Sequence, residues 1–555
     1  MIFYMSRVEI EKKLKEIAPK DVKVSVSFAP PEFGDYSTNL ALILLALRSS
    51  KSEEGGKSAM AIAEEIISEL KKDNKFSKLF SEIKAVPPGF INFRLSEASW
   101  KSGVEEILKK EEKYGAGTLG QGQKVNIEFV SANPTGPLTL GNGRSAAYGE
   151  SLSRILNFFD YQVTKEHYVN DIGRQVRILG ESVARRYLEL EGQMVDFPEE
   201  MYQGTYIAEI AKDFKKEGGY HGSLDDFEEL TIQAQKYAVE KMIRGIKDSL
   251  GRFGVKFDEW FQESSLAEKN ELKDVLNFLE FNNLSYEKDG ALWFKASEFG
   301  MEQDVVIRKS DGFTTYLLSD FAYARNKISR NFDMSIYIFG ADHHGDVARM
   351  KAGLKALGLD ESKFTFILMQ LVSLLEKGEV VRMSKRAGQF VSLDELLKKV
   401  PADVAKFFFL SKSLDTHMEF DLELAQEQSN RNPVYYIQYA FVRLKAILAK
   451  AGEAKKKVSK KLEKEVVWEE WERELIRKLL KFPEVLEEVA RNYQIHHLST
   501  YALELAGLVN RFYEKSKVIG MEPKIEKARL SLVSASATVL GMSLSLLGLS
   551  LPEKM

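Results

Sequence analysis

KVNIEFVSANPTGPLTLGNGR, residues 124–144, is the stretch that decides the fold. It opens with an apolar-rich strand, breaks at Pro134, Gly136 and Gly141, and runs into a helix marked by Leu152, Ile155, Leu156 and Phe159. A second strand, YQVTKEHYV (161–169), follows. Strand, helix and strand in that order make a βαβ unit, the building block of parallel sheets. A Pro/Gly turn between strand and helix lets the backbone approach a phosphate closely, and the helix start presents free N–H groups and the positive end of its dipole. Pro134, Gly136 and Gly141 shape that turn, and Thr139 and Asn142 are the side chains facing its space. Taken alone, the same stretch also reads as an ordinary βα turn.

Downstream, SIYIFGADHHGDVARMKAGL (335–354) repeats the pattern of buried strand, glycine turn and amphipathic helix, the helix marked by Val347, Met350, Leu354 and Leu357. Gly340, Asp342, His343 and His344 follow this strand at its C-terminal end, the edge where open α/β sheets place ligands. Residues 178–299 read as a largely helical insertion between the two halves of the sheet. The chain divides into an α+β segment 1–115, a glycine-rich linker, a parallel-sheet domain 122–400 and an all-helical segment 401–555. At 555 residues it is too long for one hydrophobic core.

The composition, 44% apolar and 29% charged, is that of a folded globular protein, and no stretch reaches the ~18 consecutive apolar residues of a membrane span. MIFYMSRVEIEKKL carries no secretory or transit pattern. Without cysteine there are no disulfides or thiolate zinc sites, and with the other histidines scattered, Asp342, His343 and His344 lack a fourth zinc ligand. These features place the protein in the cytoplasm with no structural metal. A net charge of -3 means that any nucleic acid is held by local basic patches.

A second motif, RMSKRAGQF (382–390), sets Arg382, Lys385 and Arg386 around Met383 and Ser384 on a loop bounded by Gly378 and Gly388. Such cations suit the charge that builds on phosphates during adenylyl transfer; one such loop alone is more often simply exposed and basic. In this order the two motifs resemble the HIGH and KMSKS signatures of class I aminoacyl-tRNA synthetases. The longer context resembles the arginyl-tRNA synthetases: IEFVSANPTGPL, HYVNDIGRQV, DGALWF, VIRKSDGFTTYLLSDFAYARNK, YIFGADHHGD, RMSKRAGQF and NPVYYIQYA stand in family order, flanked by FGDYSTNLAL, PPGFINFRL and a terminal LPEKM. That resemblance spans nearly the whole chain.

It implies a Rossmann-like α/β catalytic domain between an N-terminal tRNA-contacting domain and a helical anticodon-binding domain. It also implies a monomer that forms arginyl adenylate from L-arginine and ATP with Mg²⁺, then transfers arginine to tRNA(Arg), with arginine activation dependent on bound tRNA. Thr139, Asn142, Ser384 and Lys385 take the catalytic positions, and Pro134, Gly136, Gly141, Gly340, Asp342, His343 and Met383 those around ATP. Glu128, Ser131, Asn133, Tyr316, Asp320 and His344 take those around arginine. The residue chemistry agrees at one point: Tyr316 and Asp320 lie four apart on a predicted helix, and a carboxylate there grips a guanidinium through two parallel hydrogen bonds. Thr139 and Asn142 replace the two signature histidines, a variant similar to that of the tryptophanyl enzymes, and both can donate to a phosphate oxygen.

In the helical segment Tyr435, Tyr436 and Tyr439 offer faces for anticodon bases, while Phe441 and Lys406 depart from the family's histidine and arginine. Asp35, Tyr36 and Asn39 are candidates for contact with the tRNA elbow. Competing readings are another class I synthetase, a non-catalytic tRNA-binding paralogue and a small-molecule adenylyltransferase.

Overall fold

The computed structural model describes residues 6–30, 32–49, 57–381, 391–454, 456–463 and 467–555. Its centre is a five-stranded parallel sheet of β1 (Lys124–Glu128), β2 (Gln162–Val169), β3 (Glu259–Gln262), β4 (Met334–Gly340) and β5 (Phe364–Met369). Every neighbouring pair is parallel, and the spatial order is β5-β4-β1-β2-β3. The order reverses between β1 and β4, which puts the two glycine turns side by side at a topological switch point.

Helix α1 (Leu140–Phe158) covers one face, and helix α2 (Tyr316–Ser329) the other. Alternation along β1 explains the division. Val125 and Ile127 join the large core containing Leu152, Ile155, Leu156 and Phe159 of the βα1β unit, each at most 1% exposed and contributing roughly 2 kcal/mol by burial. Glu128 points to the α2 side. Small residues let α1 lie close: a Cβ on Gly149 would stand 2.3 Å from the Phe129 ring. Helix α3 (His344–Ala356) follows β4.

The stretch 178–299, expected to be largely helical, carries helices up to Arg252 and again at Ser264–Glu268 and Glu271–Phe281, and also supplies β3 and the hairpin Ser285–Lys288/Ala291–Phe294. The four residues of β3 are too few to show a period of two, so their apolar character could not be told from a helix. The all-helical reading after residue 400 also fails at Met418–Asp421, a strand parallel to Val372–Glu376. Otherwise that segment is a bundle of α4 (Pro433–Glu453), α5 (Glu470–Asn492), α6 (His496–Lys515) and α7 (Pro523–Leu546). Contrary to the composition-based reading, α7 is long and apolar enough to cross a membrane, and 72% of that apolar window is buried inside the protein.

The N-terminal segment forms a four-stranded antiparallel sheet covered by helices, with Ile10 and Leu14 of its first helix fully buried. Asp35 and Tyr36, read from the sequence as tRNA contacts, are instead buried against α5. Asp35 accepts the Leu95 N–H at 2.7 Å and pairs with Arg477 at 3.3 Å, while the Tyr36 hydroxyl donates to Glu484 at 2.8 Å. Burial pushes the Glu484 carboxyl from its ordinary 4.5 up to about 7. A carboxyl raised in the docked state stabilises docking fully below 4.5, and that stabilisation is lost as pH rises through about 7. Glu484→Gln, neutral at every pH, should therefore raise the thermal midpoint at pH 8 and leave it near wild type at pH 5. Parallel pH profiles for the two proteins would contradict this.

Candidate active site

The chain leaves β1 through two residues in the left-handed region, Val130 at φ 69° and Ser131 at φ 35°. A β-branched valine there costs on the order of 1–3 kcal/mol and persists only where its surroundings dictate it. Here the Ser131 N–H bonds the Phe129 carbonyl at 2.9 Å, and the Val130 N–H bonds Ser145 Oγ of α1 at 2.9 Å. The reversal turns the Ser131 hydroxyl back to donate to Glu128 at 3.0 Å and accept the Tyr168 N–H of β2 at 3.2 Å. Further along, Asn133 donates to Gln175 at 2.7 Å, and the Tyr206 hydroxyl donates to the Thr135 carbonyl at 2.7 Å. The helical insertion thus braces the turn containing buried Pro134 and Gly136.

Thr139 caps α1 in a reciprocal box: its Oγ1 accepts the Asn142 N–H at 3.3 Å, and Asn142 Oδ1 accepts the Thr139 N–H at 2.9 Å. The Thr139 hydroxyl also donates to Asn142 Oδ1, at 2.9 Å. The cap therefore consumes the threonine's donor, and Asn142 Nδ2, without a partner among the described residues, is the side-chain donor left for a phosphate. Thr139 is also bridged to Ser392, with the Leu393 N–H bonding the Leu138 carbonyl at 2.8 Å. The second motif, with Arg382, Met383, Ser384, Lys385 and Arg386, lies outside the described residues. Its downstream flank is nevertheless tied to the first motif two residues past Phe390.

On the α2 face, Glu128 Oε2 pairs with Lys327 Nζ at 2.8 Å, and Glu166 is chelated by Arg330 and receives the Tyr323 hydroxyl. Lys327, fully buried, also lies 3.8 Å from the Tyr337 ring centre. Burial alone would raise the Glu166 pKa, but the Arg330 hydrogen bonds and the charge of Lys327 hold it below the usual range. Two acids and two cations balance there. Asp320 and Glu263 are surplus, with no ion-pair partner among the described residues. Burial drives the Asp320 carboxyl well above the usual carboxylate range, and repulsion from Glu128, Glu263 and Asp346 adds to it. Asp320 sits one turn along α2 from Tyr316, the exposed first residue of that helix.

At the end of β4, a Cβ on Gly340 would stand 2.3 Å from Asp342 Oδ1, so the Asp342 carboxylate folds back over the glycine. Asp342, His343 and His344 are exposed, and His343 Nδ1 meets Asp346 at 2.9 Å. Among the described residues no group of three or more histidine, aspartate or glutamate side chains could hold a metal ion.

In the bundle, Asn432 caps α4 and Pro433 takes its first turn. Tyr435 and Tyr439 stack with ring centres 6.3 Å apart, and Arg443 lies between Tyr439 and Tyr513, 4.3 and 4.5 Å from their ring centres. Tyr436, on a different side of α4, packs against the core near Gly507. Phe441 is core, and Lys406 is buried with its ammonium on the Gly548 carbonyl at 2.8 Å. Asn39 is half-buried, its Oδ1 without a partner among the described residues.

Three family models tile the chain: arginyl tRNA synthetase N terminal domain over residues 6–95, tRNA synthetases class I (R) catalytic domain over 103–408, and DALR anticodon binding domain over 437–555. An arginine–tRNA ligase of Carboxydothermus hydrogenoformans is 43% identical over 94% of this chain and 92% of its own length. The chain belongs to the arginyl-tRNA synthetases. An arginine–tRNA ligase of Desulforudis audaxviator is 40% identical over 99% of both chains. The fold matches the Thermus thermophilus arginyl-tRNA synthetase with a TM-score of 0.79 at 23% identity, over all of both chains. As an arginyl-tRNA synthetase the protein uses ATP to activate arginine and transfers it to the 3' end of tRNA, releasing diphosphate and AMP.

Sequence reasoning missed the support beneath this synthetase's site: Lys327, Glu166, Arg330, Glu263 and Arg144. A signal existed for the first, since Tyr316, Asp320, Tyr323 and Lys327 fall on one stripe of α2 at helical spacing. Arg144 is fully buried, and burial pushes its guanidinium down to about 10. It donates to three carbonyls, Gln370 at 3.0 Å, Thr416 at 3.2 Å and Ser413 at 2.7 Å. Arg144→Met leaves those buried acceptors without their donor and should cost about 3 kcal/mol, read as a lowered thermal midpoint and an earlier denaturant transition. An unchanged midpoint would contradict the clamp.

Proposed function

We propose that Tyr316 and Asp320 hold the guanidinium of arginine, with Glu128 beneath them supplying negative field and Ser131, Asn133 and His344 lining the rest of the amino acid's site. The observation that carries this is the Asp320 carboxyl, half-buried one turn along α2 from Tyr316, near Glu128 and Glu263 and without an ion-pair partner among the described residues. A half-buried unmatched carboxylate is costly unless a cation arrives, and a guanidinium fits it with two parallel bonds where an ammonium cannot. ATP then lies along Pro134, Gly136, Gly141, Gly340, Asp342, His343 and Met383. The arginine carboxylate attacks the α-phosphorus, the bond to the β-phosphate breaks and diphosphate leaves. The terminal ribose hydroxyl of the tRNA next attacks the adenylate carbonyl, and AMP leaves.

Asn142 Nδ2, the free N–H groups opening α1, Ser384 and Lys385 stabilise charge on the phosphates, while Thr139 acts by holding Asn142 in place. Mg²⁺ enters with ATP and is held mainly through its phosphates. Segments 1–115, 122–400 and 401–555 divide the work into tRNA contact, catalysis and anticodon binding. Asn39 and the half-buried stack of Tyr435 and Tyr439, with Tyr436 nearby, supply tRNA contacts. We propose a monomer acting in the cytoplasm.

Calorimetric titration tests the amino-acid site. Arginine should bind at least about a hundredfold more tightly than citrulline, which has the same shape without the charge, or lysine. Equal affinity for citrulline would remove the role given to Asp320.

A further inference from the structure

Four side chains on α1 lie on one stripe at helical spacing, Arg144, Tyr148, Ser151 and Arg154, and each donates to backbone carbonyls outside the helix. Arg144 bonds Gln370, Ser413 and Thr416; Tyr148 bonds the Tyr493 carbonyl; Ser151 bonds Leu546 at 2.9 Å; and Arg154 bonds Ser545 at 2.9 Å. The acceptors are not scattered. Gln370 stands two residues ahead of the hairpin Val372–Glu376/Glu379–Val381, whose chain continues into the second motif. Tyr493 is the left-handed residue ending α5, Ser545 and Leu546 are the last turn of α7, and Ser413 also contacts Gln494 at 3.0 Å. The helix opened by Thr139 and Asn142 is therefore pinned along one face to the second motif's hairpin and to two points of the C-terminal bundle.

We propose that this donor ladder is the joint that sets the ATP-binding turn in register with the hairpin ahead of the second motif and with the bundle, with Tyr148 and Ser151 as positioning residues for adenylate formation. The proposal rests on the reading that the start of α1 contacts ATP. Carbonyls accept along fixed directions, so the ladder locates α1 along its axis as well as against the bundle, which apolar packing alone would not do. A shift of the helix start by a fraction of an ångström moves Asn142 Nδ2 and the free N–H groups away from the phosphates, and small misplacements of this kind slow chemistry about a hundredfold without loss of binding.

The test is Tyr148→Phe combined with Ser151→Ala, which removes two hydroxyls and adds no volume. The expected result is a fall in kcat for arginine-dependent pyrophosphate exchange of about tenfold or more, with the KM for ATP and for tRNA within about twofold of wild type. Ser499→Ala is the comparison: its hydroxyl joins the bundle to the Leu410 carbonyl at 3.0 Å, off the ladder, and its removal should leave kcat unchanged. A wild-type kcat in the double variant, or an equal fall in Ser499→Ala, would overturn the joint. If the double variant unfolds at assay temperature, Tyr148→Phe alone carries the same split between kcat and KM. Asn142→Ala separates the two readings: full activity there overturns the placement of ATP itself, whereas an impaired Asn142→Ala beside an active double variant overturns only the joint.

Discussion

Asp320→Asn lowers kcat/KM for arginine by about a thousandfold, most of it through KM, and makes the ligand-free protein more stable. The first effect follows because the amide keeps the volume but replaces an anionic acceptor with a donor facing the guanidinium. Truncating one side of a buried, hydrogen-bonded charge pair costs roughly 2–5 kcal/mol. The second follows from the surroundings of Asp320. With Glu128, Glu263 and Asp346 nearby and burial opposing ionisation, the carboxyl is held well above its ordinary range and destabilises the empty protein. A raised carboxyl weakens the fold as pH rises, so the variant's gain in thermal midpoint grows from pH 5 to pH 8. Pyrophosphate exchange over a range of arginine concentrations checks the first effect and thermal unfolding at two pH values the second. A variant that lost activity while becoming less stable would assign Asp320 to the fold and not to arginine.

Lys385→Ala lowers kcat for adenylate formation by about a hundred- to a thousandfold and leaves the KM for arginine close to wild type. A cation that meets charge developing on the departing phosphates acts in the transition state far more than in the ground state, so its removal appears in kcat. The structure supports this placement through the flanks of the second motif. Ser392, two residues past the motif, is bridged to Thr139, and Gln370, ahead of the upstream hairpin, accepts from Arg144 of α1. Single-turnover formation of the adenylate measures the effect directly, and a variant that raised the KM for arginine at constant kcat would place Lys385 elsewhere.

The parts of the fold legible in the sequence were those with a strong local period or a demanding turn. KVNIE and SIYIFG are buried parallel strands and read as apolar runs, and the Pro/Gly turn at 134–141 marks where strand becomes helix. Strand β3 and Met418–Asp421 are four residues each and depend on neighbours far away in the chain, which no local pattern records. The site divides the same way. Tyr316 and Asp320 stand one turn apart on α2, as their spacing predicts. Pairing of Glu128 with Lys327 across 199 positions, and the consumption of the Thr139 hydroxyl by Asn142, depend on tertiary geometry. Asp35 and Tyr36 illustrate the reverse error: polar residues at a turn suggested an exposed contact, yet their partners Arg477 and Glu484 lie more than 440 positions away on the bundle.

One measurement bears on the central claim more directly than any other: charging of a tRNA pool with each of the twenty amino acids in turn, with ATP and Mg²⁺, by the wild-type protein and by Asp320→Asn. Attachment of arginine alone, reduced about a thousandfold in the variant at low arginine concentration, is the predicted result. Attachment of another amino acid, or arginine charging that Asp320→Asn leaves intact, would contradict it.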